Sequence, residues 1–370
     1  MSKRLTFALV ALTISLSMIM AACAPAPTEA PTEPPAAPTV APTEAPPTEA
    51  PTAAPPTPTP PPPPVCDKMA DAPAAPAAGA LGSPENPIVI TFVPSGDTGK
   101  ITKAGTAIAD CLAGLTGLAF KMEVGTSFAA SIEAMGAEKA QVSFLNTLSA
   151  LLASSKYGVY PVLLAVRKYN TNDVDPDAAL KGTPEPFYKG QFIANVASGI
   201  TSFADLKGHS FCWVDPNSTS GYVMPRIVLK ANGIDPDADF SSTVDAGSHD
   251  NVAIAVYNGD CDAGVTYVNV LTDSVANLAG KYPDINDKVK PFAVTDKIPN
   301  DGMQVIKSLD PVLRDAIVNG ILFMTKDPGG KAVLKSLYNY DNLIAVEPTT
   351  YDEFLGVLQK AGVDPATLVK

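Results

Sequence analysis

Apolar and polar positions follow two different periods along the chain from residue 87 onward. Short apolar runs such as PIVITFVPSG (87–96) and VYPVLLAVRKY (159–169) have the length and β-branched content of buried strands. Segments between them, such as TKAGTAIADCLAGLTG (102–117), repeat apolar residues every three or four positions, which predicts helices. A chain that alternates strands and helices in this way is expected to form parallel sheets with helices on both faces.

The alternation occurs in two sets that a polar loop separates. The first set ends before the loop NTNDVDPDAALKGTPEPF (170–187), and the second runs from GQFIANV (190–196) to NVLTDSVANLAG (269–280). The segment VKPFAVTDKIPNDGMQVI (289–306) then leads to three helical patterns that follow residue 310. We therefore predict two α/β units followed by a group of helices.

The first 22 residues have the pattern of a secretion signal. Lys3 and Arg4 precede an apolar run that ends in two alanines before Cys23. The ending MAAC (20–23) resembles a bacterial lipobox, with methionine where leucine is usual. We therefore predict that residues 1–22 are a lipoprotein signal peptide and that Cys23 is lipidated. A plain signal peptide cleaved nearby and a short membrane anchor are the alternatives.

Residues 23–82 are predicted to be the lipidated cysteine followed by a tether. From 24 to 64 the composition is almost entirely Pro, Thr, Ala and Glu, which cannot bury a core and favours extended polyproline conformation. About 40 residues at ~3.1 Å each reach on the order of 120 Å when fully extended. The globular part starts near Ser83 or Pro87 and has nearly 290 residues, enough for one large or two ordinary α/β domains.

The charge balance of the chain restricts its partners. The formal net charge is −12, with 26 basic and 38 acidic residues, and it becomes −14 when Lys3 and Arg4 leave with the signal (24 against 38). This excess of acid argues against a nucleic acid partner, because phosphate backbones are bound by surplus Lys and Arg. It does not argue against a small anion, which a few local N–H and O–H donors can hold.

Four cysteines follow Cys23, and an even number in an exported protein suggests disulfides. Cys212 lies early in the strand-like SFCWV and Cys261 directly before the strand-like DAGVTY, so neighbouring strands would bring them together. Cys66 would then pair with Cys111 and tie the end of the linker to the first helix. Buried free thiols are the alternative, since spacing does not determine pairing. No CxxC motif or His/Cys cluster supports a metal site, and we predict no cofactor.

The segment DPNSTSGY carries the clearest candidate chemistry, at the point where a strand pattern ends and a helix pattern begins. The N–H groups of a first helical turn are unpaired, and the helix dipole is positive there. Ser218, Thr219 and Ser220 add three hydroxyl donors, and Gly221 lets the backbone approach closely. These features predict an anion-binding site. A simple helix cap is the alternative, but it requires only one hydroxyl.

From Pro87 to Lys370 the sequence resembles the phosphate/phosphite/phosphonate solute-binding proteins of ABC importers. The resemblance is carried by these segments: NPIVITFVPSG, ASIEAMGAEKAQVSFLNTLSALLA, ITSFADLKGHSFCWVDPNSTSGYVMPRIVLKANGID, GSHDNVAIAVYNGDCDAG and KIPNDGMQVIKSLDP. Its specific part is Asp-Pro-x-Ser-Thr-Ser-Gly followed about 30 residues later by Gly-Ser-His-Asp.

This resemblance implies a type II periplasmic-binding-protein (Venus flytrap) fold of the α/β class. In such a fold two α/β lobes are joined by two crossing segments, and the ligand binds in the cleft between them. We place the crossings near 190–199 and 295–304. Lobe one is then expected at 83–194 and 300–370, and lobe two at 195–299.

The resemblance also implies roles for individual residues. His249 matches a histidine that contacts the phosphorus-group oxygens, whereas without the family Ser248 would be a helix cap with His249 exposed beside it. Asp301, in IPNDG, matches a cleft aspartate that accepts a proton from the ligand or restrains its orientation; alone, it would be a turn former. Phe128 and Tyr267 are expected to line the cleft.

The family members that bind aminoalkyl phosphonates have cleft tyrosines in lobe one and an acid that holds the ammonium group. Phe128 and Leu145 stand near the tyrosine positions here, and the acid position falls at Tyr267–Asn269, with no carboxylate in reach by sequence. The resemblance therefore predicts phosphate, phosphite or a small alkylphosphonate as ligand, and a lobe-one wall that is less polar than in those members.

Three functions are compatible with these residues. The first is a monomeric, lipid-anchored solute-binding protein on the extracytoplasmic face of a bacterial membrane, which closes around a small phosphorus oxyanion and presents it to an ABC permease. The second is a serine hydrolase with Ser218 or Ser220 as nucleophile and His249 as base, although no orienting acid or GxSxG elbow is evident. The third is an oxyanion sensor subunit with the same fold.

Overall fold

A computed structural model of the chain describes residues 60–365. The predicted signal peptide, Cys23 and the linker up to residue 59 lie outside the described residues, as do residues 366–370. Within the described part, no helix is both long enough and apolar enough to cross a membrane.

The described residues form fourteen strands and ten α-helices. The strands are β1 (Ile88–Phe92), β2 (Phe120–Val124), β3 (Val142–Phe144), β4 (Tyr160–Lys168), β5 (Pro184–Glu185), β6 (Phe187–Tyr188), β7 (Gly190–Asn195), β8 (Ser210–Trp213), β9 (Ser242–Asp245), β10 (Ala263–Tyr267), β11 (Val289–Val294), β12 (Ile298–Pro299), β13 (Gly302–Val305) and β14 (Asn342–Ala345). The helices are α1 (Thr98–Thr116), α2 (Phe128–Gly136), α3 (Thr147–Tyr157), α4 (Met224–Ala231), α5 (His249–Asn258), α6 (Leu278–Lys281), α7 (Ile285–Lys288), α8 (Pro311–Met324), α9 (Pro328–Tyr338) and α10 (Asp352–Lys360).

Two large sheets organise these elements. The first has the order β14-β4-β13-β3-β1-β2, with β5 paired to β4, and the second has the order β11-β7-β10-β8-β9. We call the parts built on these sheets lobe one and lobe two. Among the strands of residues 60–365, only the pairs β1–β2, β1–β3, β8–β9 and β8–β10 are parallel. The expectation of parallel sheets is wrong for the other pairs: β7, β13 and β14 follow a crossing between the lobes and enter their sheets in the opposite direction, and β5 folds back on β4.

The chain crosses between the lobes through a small two-stranded sheet of β6 and β12. Residues 190–194, which the sequence assigned to lobe one, pair with β10 and β11 in the second sheet. Gly190 is required at the start of this strand, because a Cβ atom there would lie 2.9 Å from the Ser220 carbonyl oxygen and 3.0 Å from Thr295. The crossing strand and the candidate anion site are therefore in direct contact.

Apolar side chains from both faces of each sheet form the cores. In lobe two an aromatic cluster is completely buried around Phe192, Phe211 and Trp213. One disulfide joins Cys212 to Cys261, which pack in a separate buried cluster, and a second disulfide joins Cys66 to Cys111 on α1. The last residues of the linker are thereby fixed to lobe one.

Two segments differ locally from the helical pattern of the sequence. The helix that follows the second-lobe strand β8 begins with a π-helical turn (Thr219–Val223) before α4. The segment NVLTDSVANLAG is mostly turns, because Asn269 and Asn277 adopt left-handed backbone conformations with φ of 63° and 52°. The Asp273 side chain accepts hydrogen bonds from the N–H groups of residues 275 and 276, which stabilises the turn in place of a helix.

Candidate functional site

A cavity lies between the two lobes, and residues from both line it. Its volume is about 150 Å³, well below the roughly 300–1,000 Å³ of pockets for drug-sized ligands. The lobes are in contact around it: the His249 N–H donates to the Ser95 carbonyl at 3.0 Å, and Asn146 Nδ2 donates to the Asn217 carbonyl at 2.9 Å. The described conformation is thus closed and suits a ligand of few heavy atoms.

Lobe two contributes the N-terminus of the π-helical turn. The first helical hydrogen bond is donated by the Val223 N–H to the Ser218 carbonyl, so the N–H groups that precede it in the turn, apart from that of Gly221, are available to an acceptor. Ser218 caps the turn, because its Oγ accepts from the Gly221 N–H at 3.1 Å, and its own proton remains free to donate. Ser218 and Ser220 both line the cavity and are 1% exposed. The segment therefore combines a helix cap with a set of anion donors.

Two of the neighbouring residues have roles that the sequence did not indicate. The Thr219 hydroxyl is not among the cavity-lining groups; it accepts from Asn146 Nδ2 at 3.0 Å and from the Leu148 N–H at 2.9 Å, both in lobe one. Thr219 therefore joins the closed lobes. Gly221 allows close packing, because a Cβ atom there would overlap the Val214 side chain.

His249 lies at the start of α5, where Ser248 is the cap and accepts from the Asn251 N–H. The imidazole is 6% exposed and lines the cavity. Its Nδ1 accepts from the Tyr267 N–H at 3.2 Å, so the neutral ring carries its proton on Nε2 and is a hydrogen-bond donor there. Burial lowers the pKa of the imidazole to about 3.

The depressed pKa of His249 predicts a loss of stability in acid. The unfolded chain binds a proton on this imidazole below pH ~6.5, whereas the folded protein does not until about pH 3, so acidification favours unfolding. Between pH 7 and pH 5 this residue should lower the free energy of unfolding by about 2 kcal/mol. Urea unfolding of the wild type and of His249→Gln at both pH values measures it. Equal pH slopes for the two proteins would refute the assignment.

Lobe one contributes a guanidinium group that the sequence analysis missed. Arg167, at the end of β4, donates to the Tyr338 carbonyl at 3.1 Å, to Asn300 Oδ1 at 2.6 Å and to Asp301 Oδ1 at 2.6 Å. The second carboxylate oxygen of Asp301 accepts from the Tyr340 hydroxyl at 2.8 Å. Asp301 lines the cavity as expected, but both of its oxygens have partners inside lobe one. The sequence feature that could have indicated Arg167 as a site residue is its position as a charged residue near the end of the apolar strand pattern 159–169.

The prediction of a weakly polar lobe-one wall is wrong. Phe128 lines the cavity and Leu145 is completely buried, but Tyr188 and Tyr338 supply phenol groups from other positions. Burial raises the pKa of Tyr188 to about 12, and the neighbouring Ser220 hydroxyl offsets this only in part, so the phenol keeps its proton. Tyr188 is therefore a neutral donor in the cleft, whereas the Tyr338 hydroxyl donates to the Val93 carbonyl at 2.7 Å.

The expectation that no carboxylate lies near Tyr267 is also wrong. Asp250 and Asp273 both line the cavity, as Tyr267 itself does. Asp273 is satisfied by the N–H groups of residues 275 and 276 and by Asn339 Nδ2, which donates to it at 3.1 Å. Asp250 comes directly after His249, so its position in the cleft follows from the same helix start.

A family model and two curated proteins are similar to this chain in sequence. The model of a family described as ABC transporter, phosphonate, periplasmic substrate-binding protein matches residues 90–351. The phosphate-import protein PhnD of Mycolicibacterium smegmatis is 28% identical over 211 residues, which are 55% of this chain and 62% of that protein. The phosphonates-binding periplasmic protein of Escherichia coli is 32% identical over 188 residues, which are 49% of this chain and 53% of that protein. The chain spans about three fifths and about half of the length of these curated relatives.

Solved structures share the fold. A binding-protein component of an ABC phosphonate transporter from Pseudomonas aeruginosa has a TM-score of 0.64 at 21% identity, covering 74% of this chain and 86% of that chain. PhnD1 from Prochlorococcus marinus, solved in complex with methylphosphonate, has a TM-score of 0.61 at 19% identity, covering 74% of this chain and 98% of that chain. These likenesses confirm the predicted fold class, the type II periplasmic-binding-protein fold.

Proposed function

The chain belongs to the family of periplasmic substrate-binding proteins of phosphonate ABC transporters, and from this premise we propose that it captures a small phosphorus oxyanion in its interlobe cleft and delivers it to a membrane permease. The observation that carries the proposal is the convergence of two helix N-termini, at Thr219 and His249, on the cavity that Arg167 also lines. N–H groups, hydroxyls and a guanidinium together suit a phosphate-like group.

Closure of the lobes is the second part of the proposal. Removal of water from the cleft strengthens the hydrogen bonds to the anion, and the closed shape is the signal that a permease recognises. We propose that the protein acts as a monomer on the extracytoplasmic side of the membrane, held by a lipid on Cys23 through the linker. The curated relatives are named for phosphate import and for phosphonate binding, which supports phosphate, phosphite or an alkylphosphonate as the ligand.

A serine hydrolase is not favoured by the geometry of His249. A general base needs an unprotonated nitrogen that faces the nucleophile, but Nδ1 accepts from the Tyr267 N–H and the proton is therefore on Nε2. Moving that proton to Nδ1 would set two N–H donors against each other. Because a backbone N–H occupies the place of an orienting acid, His249 suits ligand binding better than catalysis.

The direct test is calorimetry on residues 24–370 with phosphate, phosphite, methylphosphonate, 2-aminoethylphosphonate and sulfate. We expect saturable binding of at least one phosphorus oxyanion. Ser220→Ala should weaken that binding by about 10-fold to 150-fold, because a hydrogen bond to a charged group contributes about 1.5–3 kcal/mol. Ser241→Ala, an exposed serine in lobe two, is the matched control and should bind as the wild type does. Unchanged affinity of Ser220→Ala would reject the proposed anion site.

A further inference from the structure

Asp250 is a buried carboxylate without a partner. It is the second residue of α5, is 7% exposed and lines the cavity. Among residues 60–365 it makes no side-chain hydrogen bond, and no Lys, Arg or His nitrogen lies within 4.0 Å of its carboxylate. Asp273, which is buried, and Asp301, which is partly buried, each have donors on both oxygens.

The charged groups around Asp250 attract and repel its carboxylate without forming a hydrogen bond or ion pair to it. Lys100 on α1 and Lys281 on α6 attract it, whereas Asp273 and the α1 cap residue Asp97 repel it. The Lys100 ammonium is held by the carbonyls of residues 275 and 276. His249, beside it on α5, is neutral. Burial raises the pKa of Asp250, as expected for a carboxylate that lacks donors.

Two further acceptors in the cleft lack donors. The side-chain oxygens of Asn146 and Asn339 are buried and have no partner among the described residues, and both asparagines line the cavity. Their amide orientation is set by their Nδ2 groups, which donate to the Asn217 carbonyl and to Asp273. A buried acceptor without a donor costs free energy, so the cleft is incomplete until a ligand supplies one.

We propose that Asp250 is a specificity-determining residue that accepts a hydrogen bond from the ligand, so that the cleft selects phosphorus compounds that carry their own donor. This inference rests on the proposed function and narrows it. A fully ionised dianion would place its charge beside an unpaired carboxylate, which is repulsive. A P–O–H group or an ammonium group on the ligand turns that repulsion into a charge-assisted hydrogen bond.

The two sources of the donor differ in their pH dependence. With a P–O–H ligand, a single proton is shared between Asp250 and a ligand oxygen, whichever of the two carries it formally. Binding then takes up that proton above the second pKa of the ligand, and the affinity falls about tenfold per pH unit there. An ammonium donor keeps its proton at neutral pH, so its contribution does not change in the same range.

The test is calorimetry at pH 6, 7, 8 and 9 on residues 24–370, with inorganic phosphate and 2-aminoethylphosphonate as probes. In the wild type we expect phosphate affinity to fall about tenfold per pH unit above the second pKa of phosphate. In Asp250→Asn, whose amide donates to a dianion, the fall from pH 6 to pH 9 should be less than about threefold. Asp110→Asn, an exposed change of the same charge on α1, should keep the wild-type profile.

Each result has a defined meaning. A flattened phosphate profile in Asp250→Asn identifies the P–O–H donor. A loss of tenfold or more for 2-aminoethylphosphonate in Asp250→Asn, with an unchanged phosphate profile, identifies the ammonium donor. Identical affinities and profiles of Asp250→Asn and the wild type for both probes would overturn the inference while the proposed function stands. Absence of any phosphorus ligand from the wild type would overturn both. Thermal melting of Asp250→Asn checks that the variant is folded.

Discussion

Arg167→Met is expected to weaken phosphorus-oxyanion binding at least about 100-fold, because it removes a charged donor from the cleft. A guanidinium has five N–H donors in a planar arrangement. Three are used within lobe one, by a backbone carbonyl, Asn300 and Asp301, which leaves two for a ligand. Each hydrogen bond to a charged ligand group contributes about 1.5–3 kcal/mol, so the loss of two explains the expected magnitude.

The same substitution should also destabilise the fold. The side chains of Arg167 and Asp301 are 19% and 15% exposed, and removal of one partner leaves a charge without compensation. We expect the free energy of unfolding to fall by about 3 kcal/mol. Denaturant unfolding measures this loss of stability, and calorimetry at a temperature where the variant is folded measures its affinity for the ligand.

A double variant separates the two effects. Arg167→Met with Asp301→Leu replaces the ion pair by apolar side chains of similar size, which should recover most of the stability. The affinity should stay low, because neither new side chain is a donor. If the double variant regained both stability and affinity, Arg167 would be a structural residue with no contact to the ligand.

The parts of the site that the sequence predicted are those that depend on local structure. Ser218, Ser220 and His249 lie at the starts of helices. A helix start is indicated by its capping residue and by the end of the preceding strand pattern, which involve only a few consecutive residues. The local pattern also carries Asp250, but its unpaired state depends on what α1 and the loop after β10 place around it. A single-sequence pattern does not contain that information.

The lobe-one wall was mispredicted because its members are distant in the chain. Arg167, Tyr188 and Tyr338 come from β4, β6 and the end of α9; β4 pairs with β13 and β14, and β6 pairs with β12, so contacts between distant parts of the chain place these side chains in one cavity. Phe128 and Leu145, which were expected near the tyrosine positions of the family, are apolar, and the polar groups of the wall lie elsewhere in the chain. The directions of the strands were mispredicted for the same reason. The apolar pattern of the sequence correctly indicated where strands lie, but the direction of each strand depends on where the chain crosses between the lobes.

The loop between β4 and the first crossing forms ion pairs with lysines of both crossing segments. Lys189, just before β7, lies 2.8 Å from Asp175 and 2.7 Å from Asp177, both in this loop. Lys297, just before β12, lies 3.7 Å from the same Asp177. Lys189 is almost completely buried, with 4% of its side chain exposed, and Asp175 is fully buried and also accepts from the Tyr169 hydroxyl at 2.7 Å. The loop therefore fixes the hinge region of the molecule.

Lys189→Met should lower the free energy of unfolding by about 3–5 kcal/mol, because Asp175 would keep its charge in a buried site after loss of the ammonium. Lys297→Met is the matched control: its side chain is half exposed and its partner is shared, so the expected loss is no more than about 1 kcal/mol. Urea unfolding of the three proteins at pH 7 measures the difference. Equal losses for the two lysine variants would show that the buried ion pair does not hold the hinge, and that solvent reaches Asp175 in the native protein.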